Sequence, residues 1–176
     1  MIRATTIIAV KKDGKVAMAG DGQVTFGEVV FKGNAKKIRR IEKYNVMAGF
    51  AGAAADAFAL MDKFESKLEE FSGNLKKSAV ELAKEWRSDK ALRTLDAMLI
   101  VADKESILVL SGNGDVIEPD GDVAAIGSGG NYAYAAAKGI LLYGKDISAE
   151  EVAIEAMAIA GEMCIYTNSN ITYDVI

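Results

Sequence analysis

Histidine is absent from the 176 residues. That removes Ser-His-Asp and Cys-His nucleophile systems, and imidazole-ligated zinc, from consideration. Any hydrolytic chemistry must take its base from a lysine, a carboxylate or an amino terminus. Cysteine is nearly absent: Cys164 stands alone. One thiol excludes an internal disulfide framework and a Cys-rich metal centre, and it fits a reducing cytoplasm. A single proline, with 51% hydrophobic and 26% charged residues, argues against long disordered segments. Positive charge is in deficit, with a formal net charge of -4 and a pI near 5.0. The basic run Lys32–Arg40 is local, so there is no footprint for nucleic acid. No apolar run is long enough for a membrane span, and residues 1–10 lack the pattern of a signal peptide. The expectation is a cytoplasmic protein that engages neither membrane nor nucleic acid, folded as one domain with a real core.

The pattern along the chain alternates between strands and helices. Residues 5–11 and 16–19 read as a hairpin about Lys12-Asp13-Gly14-Lys15. Residues 24–31 read as one extended run, followed by strands at 36–41 and 45–50. In residues 53–71, Phe58, Met61, Phe64, Leu68 and Phe71 recur at helical spacing. A second amphipathic helix over 75–92 carries Val80, Leu82, Ala83 and Trp86. Strands are expected again at 95–102, 107–110 and 123–126, with Asp115–Glu118 leading on. A helix over 132–142 follows, then a capping box Ser148-Ala149-Glu150-Glu151 opens a helix over 152–166, and a last strand covers 171–176. Connections are short and hairpin-like, which favours antiparallel pairing. The order predicts an α+β fold in which two antiparallel sheets pack together between helix pairs.

Within this frame a few residues have the chemistry left open by the missing histidine. Thr5 heads the β-branched run Thr5–Val10. If Met1–Ala4 is a short leader that is removed, its free α-amine, with an ordinary pKa of about 7.7–8.0, becomes a base beside its own hydroxyl. Otherwise Thr5 is an ordinary strand residue. Lys37 beside that amine would favour its neutral form, with Asp21 holding Lys37 charged and oriented. Their ordinary readings are a solvated lysine and a turn aspartate. Gly49 offers a backbone N–H to an oxyanion or simply permits close packing. Ser128 in Gly127-Ser128-Gly129-Gly130 supports the new N-terminus, makes a turn, or joins a loop that cradles an anion. Gly139–Asp146 approaches a Walker A pattern, but Asp146 stands where magnesium needs Ser or Thr and the stretch ends a helix. This chain is therefore expected to bind no nucleotide.

Taken together, several stretches resemble the HslV family, proteolytic subunits of the bacterial ATP-dependent protease HslUV and relatives of proteasome β-subunits. They are Thr5-Thr6-Ile7, Gly20-Asp21-Gly22-Gln23, Lys32–Asn34 through Lys36-Lys37, Ala48–Gly52 with Ala55-Asp56-Ala57, and Ala79–Trp86. Gly112-Asn113-Gly114, Ile126–Gly130, Ile159-Ala160-Gly161 and Cys164–Asn168 continue the likeness over nearly all of Thr5–Ile176. The resemblance implies an N-terminal nucleophile hydrolase fold, a four-layer αββα sandwich. It implies a homo-oligomer of two stacked hexameric rings, a dodecamer, fed unfolded proteins by a hexameric HslU-type ATPase that also activates it. On this mapping Thr5 is the nucleophile and its amine the base, Lys37 and Asp21 tune the pair, Gly49 gives the oxyanion N–H, and Ser128 steadies the N-terminus. A monovalent cation site, usually sodium, maps onto backbone oxygens of Gly161, Cys164 and Thr167; an ordinary helix end is the alternative. The chain departs from the family in two places. The leader Met1-Ile2-Arg3-Ala4 is longer than a lone methionine, so self-cleavage at Ala4–Thr5 would be needed. Asn131 also stands where many relatives carry Pro. A retained leader would make a silent ring subunit.

Overall fold

The computed structural model describes residues 2–3, 5–90, 92, 95 and 97–176. The chain begins with the short strand β1 (Ile2–Arg3), then β2 (Thr6–Lys12) and β3 (Lys15–Gly20). The turn between β2 and β3 is Asp13-Gly14, with φ of 51° and 75°, the left-handed pair that matches the twist of a two-residue hairpin. β4 (Val24–Phe26) and β5 (Val29–Lys32) follow. They form a second hairpin where one extended run was expected, because Gly27 (φ 60°) reverses the chain.

β6 (Ile38–Ile41), β7 (Val46–Ala51), α1 (Ala54–Glu70) and α2 (Leu75–Ser88) come next, then β8 (Met98–Ala102), β9 (Ile107–Ser111), β10 (Val116–Ile117) and β11 (Val123–Gly127). α3 (Gly130–Tyr143), α4 (Ala149–Met163) and β12 (Thr172–Val175) complete the order. The expected capping box of α4 is present, with Ser148 and Glu151 bonding each other's backbone N–H. The helix nevertheless stops at Met163 instead of running to Tyr166, since Cys164 already has extended dihedrals.

Among the described residues all strand pairings are antiparallel. One sheet has the order β11-β2-β3-β12, a second β10-β9-β8-β7-β6, and a small third one β1-β4-β5. Three apolar cores stack through the two larger sheets. Ile8, Val10, Ala17 and Ala19 face α3 and α4 through Ala133, Ala137, Val152 and Met157. The alternate residues Ile7, Ala9, Val16 and Met18 face the second sheet through Met47, Ile100 and Ala102. Beyond it, Ala48, Phe50, Leu99 and Val101 pack under Phe64, Leu68, Leu82 and Trp86 of α1 and α2. Three cores between four layers make the αββα sandwich. They also explain why β2, β3 and β7 read as unbroken apolar runs: both faces are covered.

Two helix residues assigned to apolar faces point elsewhere. Phe58 is 71% exposed and Val80 is 39% exposed, whereas Leu60, outside the expected stripe, is fully buried. The leader falls partly outside the described residues, because Met1 and Ala4 are not among them. Between them, Ile2 and Arg3 pair with Phe26 and Thr25 of β4. Among the described residues no helix is long and apolar enough to cross a membrane.

Trp86 is fully buried and its indole N–H donates to the Leu92 carbonyl at 3.0 Å. Trp86→Ala should therefore lower unfolding free energy by about 3–5 kcal/mol, through the cavity and the orphaned carbonyl. Denaturant unfolding followed by far-UV circular dichroism checks it.

Candidate active site

The site is assembled where the first strand begins. Thr5 is 6% exposed, and its carbonyl accepts the Ser128 backbone N–H at 2.9 Å. β11 ends against it: Gly127 pairs with Thr6, has φ 90°, and a Cβ there would lie 1.8 Å from the Thr5 carbonyl oxygen. No side chain fits that approach. Thr6, next along, is completely buried. Its hydroxyl oxygen accepts the Gly129 N–H at 2.8 Å and lies 2.7 Å from the Thr167 hydroxyl. Two backbone N–H groups of the Gly127–Gly130 loop are thus committed to Thr5 and Thr6. That use disfavours the loop as an anion cradle.

Asp21, in the loop after β3, is 0% exposed. Its Oδ1 accepts both the Thr6 N–H and the Lys37 ammonium, each at 2.8 Å. Its Oδ2 accepts the N–H of Gln23 at 2.9 Å and of Asn168 at 3.4 Å. Lys37 sits immediately ahead of β6, with a side chain 7% exposed, and donates also to the Gln23 carbonyl at 2.6 Å. Burial pushes the Lys37 pKa down from 10.5, while the charge of Asp21 and its hydrogen bond oppose that fall. Thr6 N–H and Lys37 share one oxygen acceptor, so the lysine charge lies close to the backbone just after Thr5. The three residues singled out for nucleophile, charge and orientation are thereby gathered at one point.

Gly49 is placed elsewhere. It lies inside β7 between Ile38 and Ile100. The Phe50 N–H donates to the Lys37 carbonyl, so by antiparallel alternation Gly49 directs its own N–H toward Ile100 of β8. An added Cβ would sit 2.7 Å from Ile7 Cγ2 and 2.9 Å from Met18 Sδ. Gly49 is a close-packing glycine between the sheets, and its N–H belongs to the ladder. Ser128 is exposed and contributes through its backbone N–H to Thr5.

Gly161, Cys164 and Thr167 are gathered at the end of α4. Gly161 lies in the last turn, whose carbonyls lack helical partners. The Cys164 carbonyl accepts the Thr167 N–H at 3.0 Å and keeps a second lone pair. The donor set available is backbone carbonyl oxygen, which suits a hard monovalent cation. Thr167 also ties this segment to Thr6.

Three participants escaped the sequence reading: Thr6, Gln23 and Asn168. Gln23 Nε2 donates to the Ile165 carbonyl and to Thr25 Oγ1, fastening β4 to the segment after α4. The adjacency of Thr6 to Thr5 is a local signal, whereas Gln23 reaches Ile165 and Asn168 reaches Asp21 and Gly22 across more than 140 positions.

Comparison with known proteins gives a consistent result. The proteasome subunit family model matches residues 1–176. The ATP-dependent protease subunit HslV of Treponema denticola is 60% identical over 170 residues, covering 97% of this chain and 95% of the relative. Its counterpart from Staphylococcus aureus is 56% identical over 176 residues, covering 99% and 97%. Among solved structures, eukaryotic HslV from Trypanosoma brucei superposes with a TM-score of 0.91 at 47% identity, covering 97% of this chain and 98% of that one. The BPH protein of Thiobacillus denitrificans, at TM-score 0.76 and 22% identity, covering 97% of each chain, shares the fold.

Asp21→Asn leaves the Lys37 charge buried without its counter-ion and should cost about 3–5 kcal/mol at neutral pH. Because the folded-state pKa of Lys37 lies below its unfolded value, the charge penalty is constant at low pH. It is relieved as pH rises through the folded pKa toward 10.5. Without Asp21 that folded pKa falls further, so the variant's deficit should shrink on going from pH 7 to pH 9.5. Chemical denaturation at both pH values measures this. Gly49→Ala should destabilise by about 1–3 kcal/mol through overpacking, also read by denaturation.

Proposed function

Since the chain belongs to the proteasome subunit family, whose HslV branch consists of N-terminal threonine peptidases, we propose that Thr5 is its nucleophile once the Ala4–Thr5 bond has been hydrolysed. The single observation that carries this reading is the shared acceptor: Asp21 Oδ1 takes the Thr6 N–H and the Lys37 ammonium together. It puts one fixed positive charge next to the residue whose amine must be neutral.

The chemistry follows from that placement. The freed α-amine takes the proton from the Thr5 hydroxyl, and the oxygen adds to the substrate carbonyl carbon. The amine, now protonated, returns that proton to the departing peptide nitrogen as the C–N bond breaks, leaving an ester on Thr5. A water molecule, deprotonated by the same amine, adds to the ester carbon, and the Thr5 oxygen leaves with the proton. Lys37 lowers the pKa of the amine by charge repulsion, while Asp21 keeps Lys37 charged despite its burial. Ser128 N–H holds the Thr5 carbonyl.

A sodium ion held by carbonyl oxygens of Gly161, Cys164 and Thr167 would brace the α4 terminus against which Thr6 is pinned. The peptidase works in the cytoplasm as two stacked hexameric rings. It degrades unfolded proteins delivered by a separate hexameric ATPase of the HslU type, since the relatives bear the name of an ATP-dependent protease subunit. A second reading has its own support: the Ile2–Arg3 strand is seated on β4, as a retained leader in an unprocessed, silent subunit would be.

Intact-mass measurement separates the two. A mass beginning at Thr5 supports the peptidase; one including Ile2–Ala4, with no hydrolysis, supports the silent subunit. Thr5→Ala should reduce fluorogenic-peptide hydrolysis to background while sedimentation still reports the ring assembly. Hydrolysis by that variant at the wild-type rate would reject Thr5 as nucleophile.

A further inference from the structure

The loop carrying Asp21 and the segment leading to Lys37 are separate pieces of chain, joined by the Ala35 N–H donating to the Gly22 carbonyl at 2.9 Å and bridged by one further side chain. Asn168 Oδ1 accepts the Gly22 N–H at 3.1 Å, and its Nδ2 donates to the Gly33 carbonyl at 2.9 Å. Its own backbone N–H reaches Asp21 Oδ2 at 3.4 Å. Gly22 directly follows Asp21, and Gly33 lies a short step ahead of Lys37. The two loops touch: an added Cβ on Gly22 would be 2.5 Å from the Gly33 oxygen. Only one orientation of the amide satisfies both contacts, acceptor toward Gly22 and donor toward Gly33.

We propose that Asn168 is a positioning residue of the peptidase, a clamp that sets the Asp21–Lys37 spacing and through it the basicity of the Thr5 amine. The inference rests on the threonine-peptidase reading and adds to it a residue that makes no contact with the reacting atoms. Asn170 is its natural control. It also donates to the Gly33 carbonyl, at 2.7 Å, but from an exposed position and without bridging to Gly22.

Loosening the clamp lets Lys37 drift from the amine, and the amine pKa then rises. The groups gathered at the start of β2 are Lys37 from ahead of β6 and Asp21 from after β3, which meet at the Thr6 N–H. The β11–α3 loop adds the Ser128 and Gly129 N–H groups, and the segment after α4 adds Cys164 and the Thr167 hydroxyl. Of these, Lys37 is the cation that moves.

The test uses the full chain in its assembled, processed form. Peptide hydrolysis by Asn168→Asp, Asn168→Ala and Asn170→Ala is followed from pH 6 to pH 9.5. Asn168→Asp is isosteric and keeps the acceptor for Gly22 while placing a second acceptor against the Gly33 carbonyl. Both Asn168 variants should lose about tenfold to a hundredfold in kcat, with KM within about twofold. The acid limb of the kcat profile should move to higher pH. Asn170→Ala should move neither quantity. Unchanged kcat in Asn168→Asp overturns the assignment, and so does a fall in kcat that tracks lost assembly while the acid limb stays in place. If Asn168→Ala does not fold, Asn168→Asp decides alone. Thr5→Ala, run in parallel, keeps the two readings apart. Hydrolysis surviving there rejects the peptidase site as a whole, whereas an inert Thr5→Ala beside a normal Asn168→Asp rejects only the clamp.

Discussion

The structure depends on one buried carboxylate. Asp21 has no exposed surface, and its two oxygens take donors from Thr6, Lys37, Gln23 and Asn168. A lone ionised carboxylate in that position would be untenable; satisfied by one ammonium and three N–H groups, it becomes a junction. Four segments distant in sequence converge on it: the start of β2, the loop after β3, the segment ahead of β6 and the stretch after α4. Each brings something the others need. β2 brings the Thr6 N–H, the segment ahead of β6 the Lys37 charge, and the stretch after α4 the Asn168 N–H.

The junction can be buried because the elements around it approach unusually closely. Gly127 lets β11 end against the Thr5 carbonyl, Gly49 lets β7 pass over Ile7 and Met18, and Gly22 lets two loops meet backbone to backbone. Those approaches exclude water from Lys37, and burial then lowers its pKa against the pull of Asp21. Packing and electrostatics are thus a single design. The tight sheet contact creates the low dielectric in which the ion pair acts strongly on a neighbouring amine.

The fold was largely legible because its signals are local. Two-sided burial of β2 and β3 writes itself as uninterrupted apolar runs, and the Ser148–Glu151 box marks the start of α4 within four residues. What failed locally failed for local reasons: Gly27 turned an expected strand into a hairpin, and Phe58 matched the helical period yet faces out. The site was legible in part. Thr5, Asp21 and Lys37 are residue types with few other ways to do acid–base work in a chain without histidine. Gly49 carried two readings because glycine has the same appearance whether it frees an N–H or admits a neighbouring side chain, and Ile7 and Met18 do pack against it. Gln23 and Asn168 lie inside stretches that carry the resemblance, yet nothing marked their roles, since amides near turns are commonplace and their partners at Ile165, Gly22 and Gly33 lie far along the chain.

A chain without histidine that uses its own amino terminus as a base accepts a geometric constraint. The base can stand only where the chain begins, so the site must be built at the head of the first core strand. The Asp21–Lys37 pair, the Ser128 contact to Thr5 and the Gly129 contact to Thr6 are already formed while Ile2 and Arg3 are paired with β4. None of these interactions uses the Thr5 amine. On the proposed reading, hydrolysis of the Ala4–Thr5 bond therefore has no site to build. It converts an amide nitrogen, which is not basic, into an amine in surroundings already arranged to keep that amine neutral.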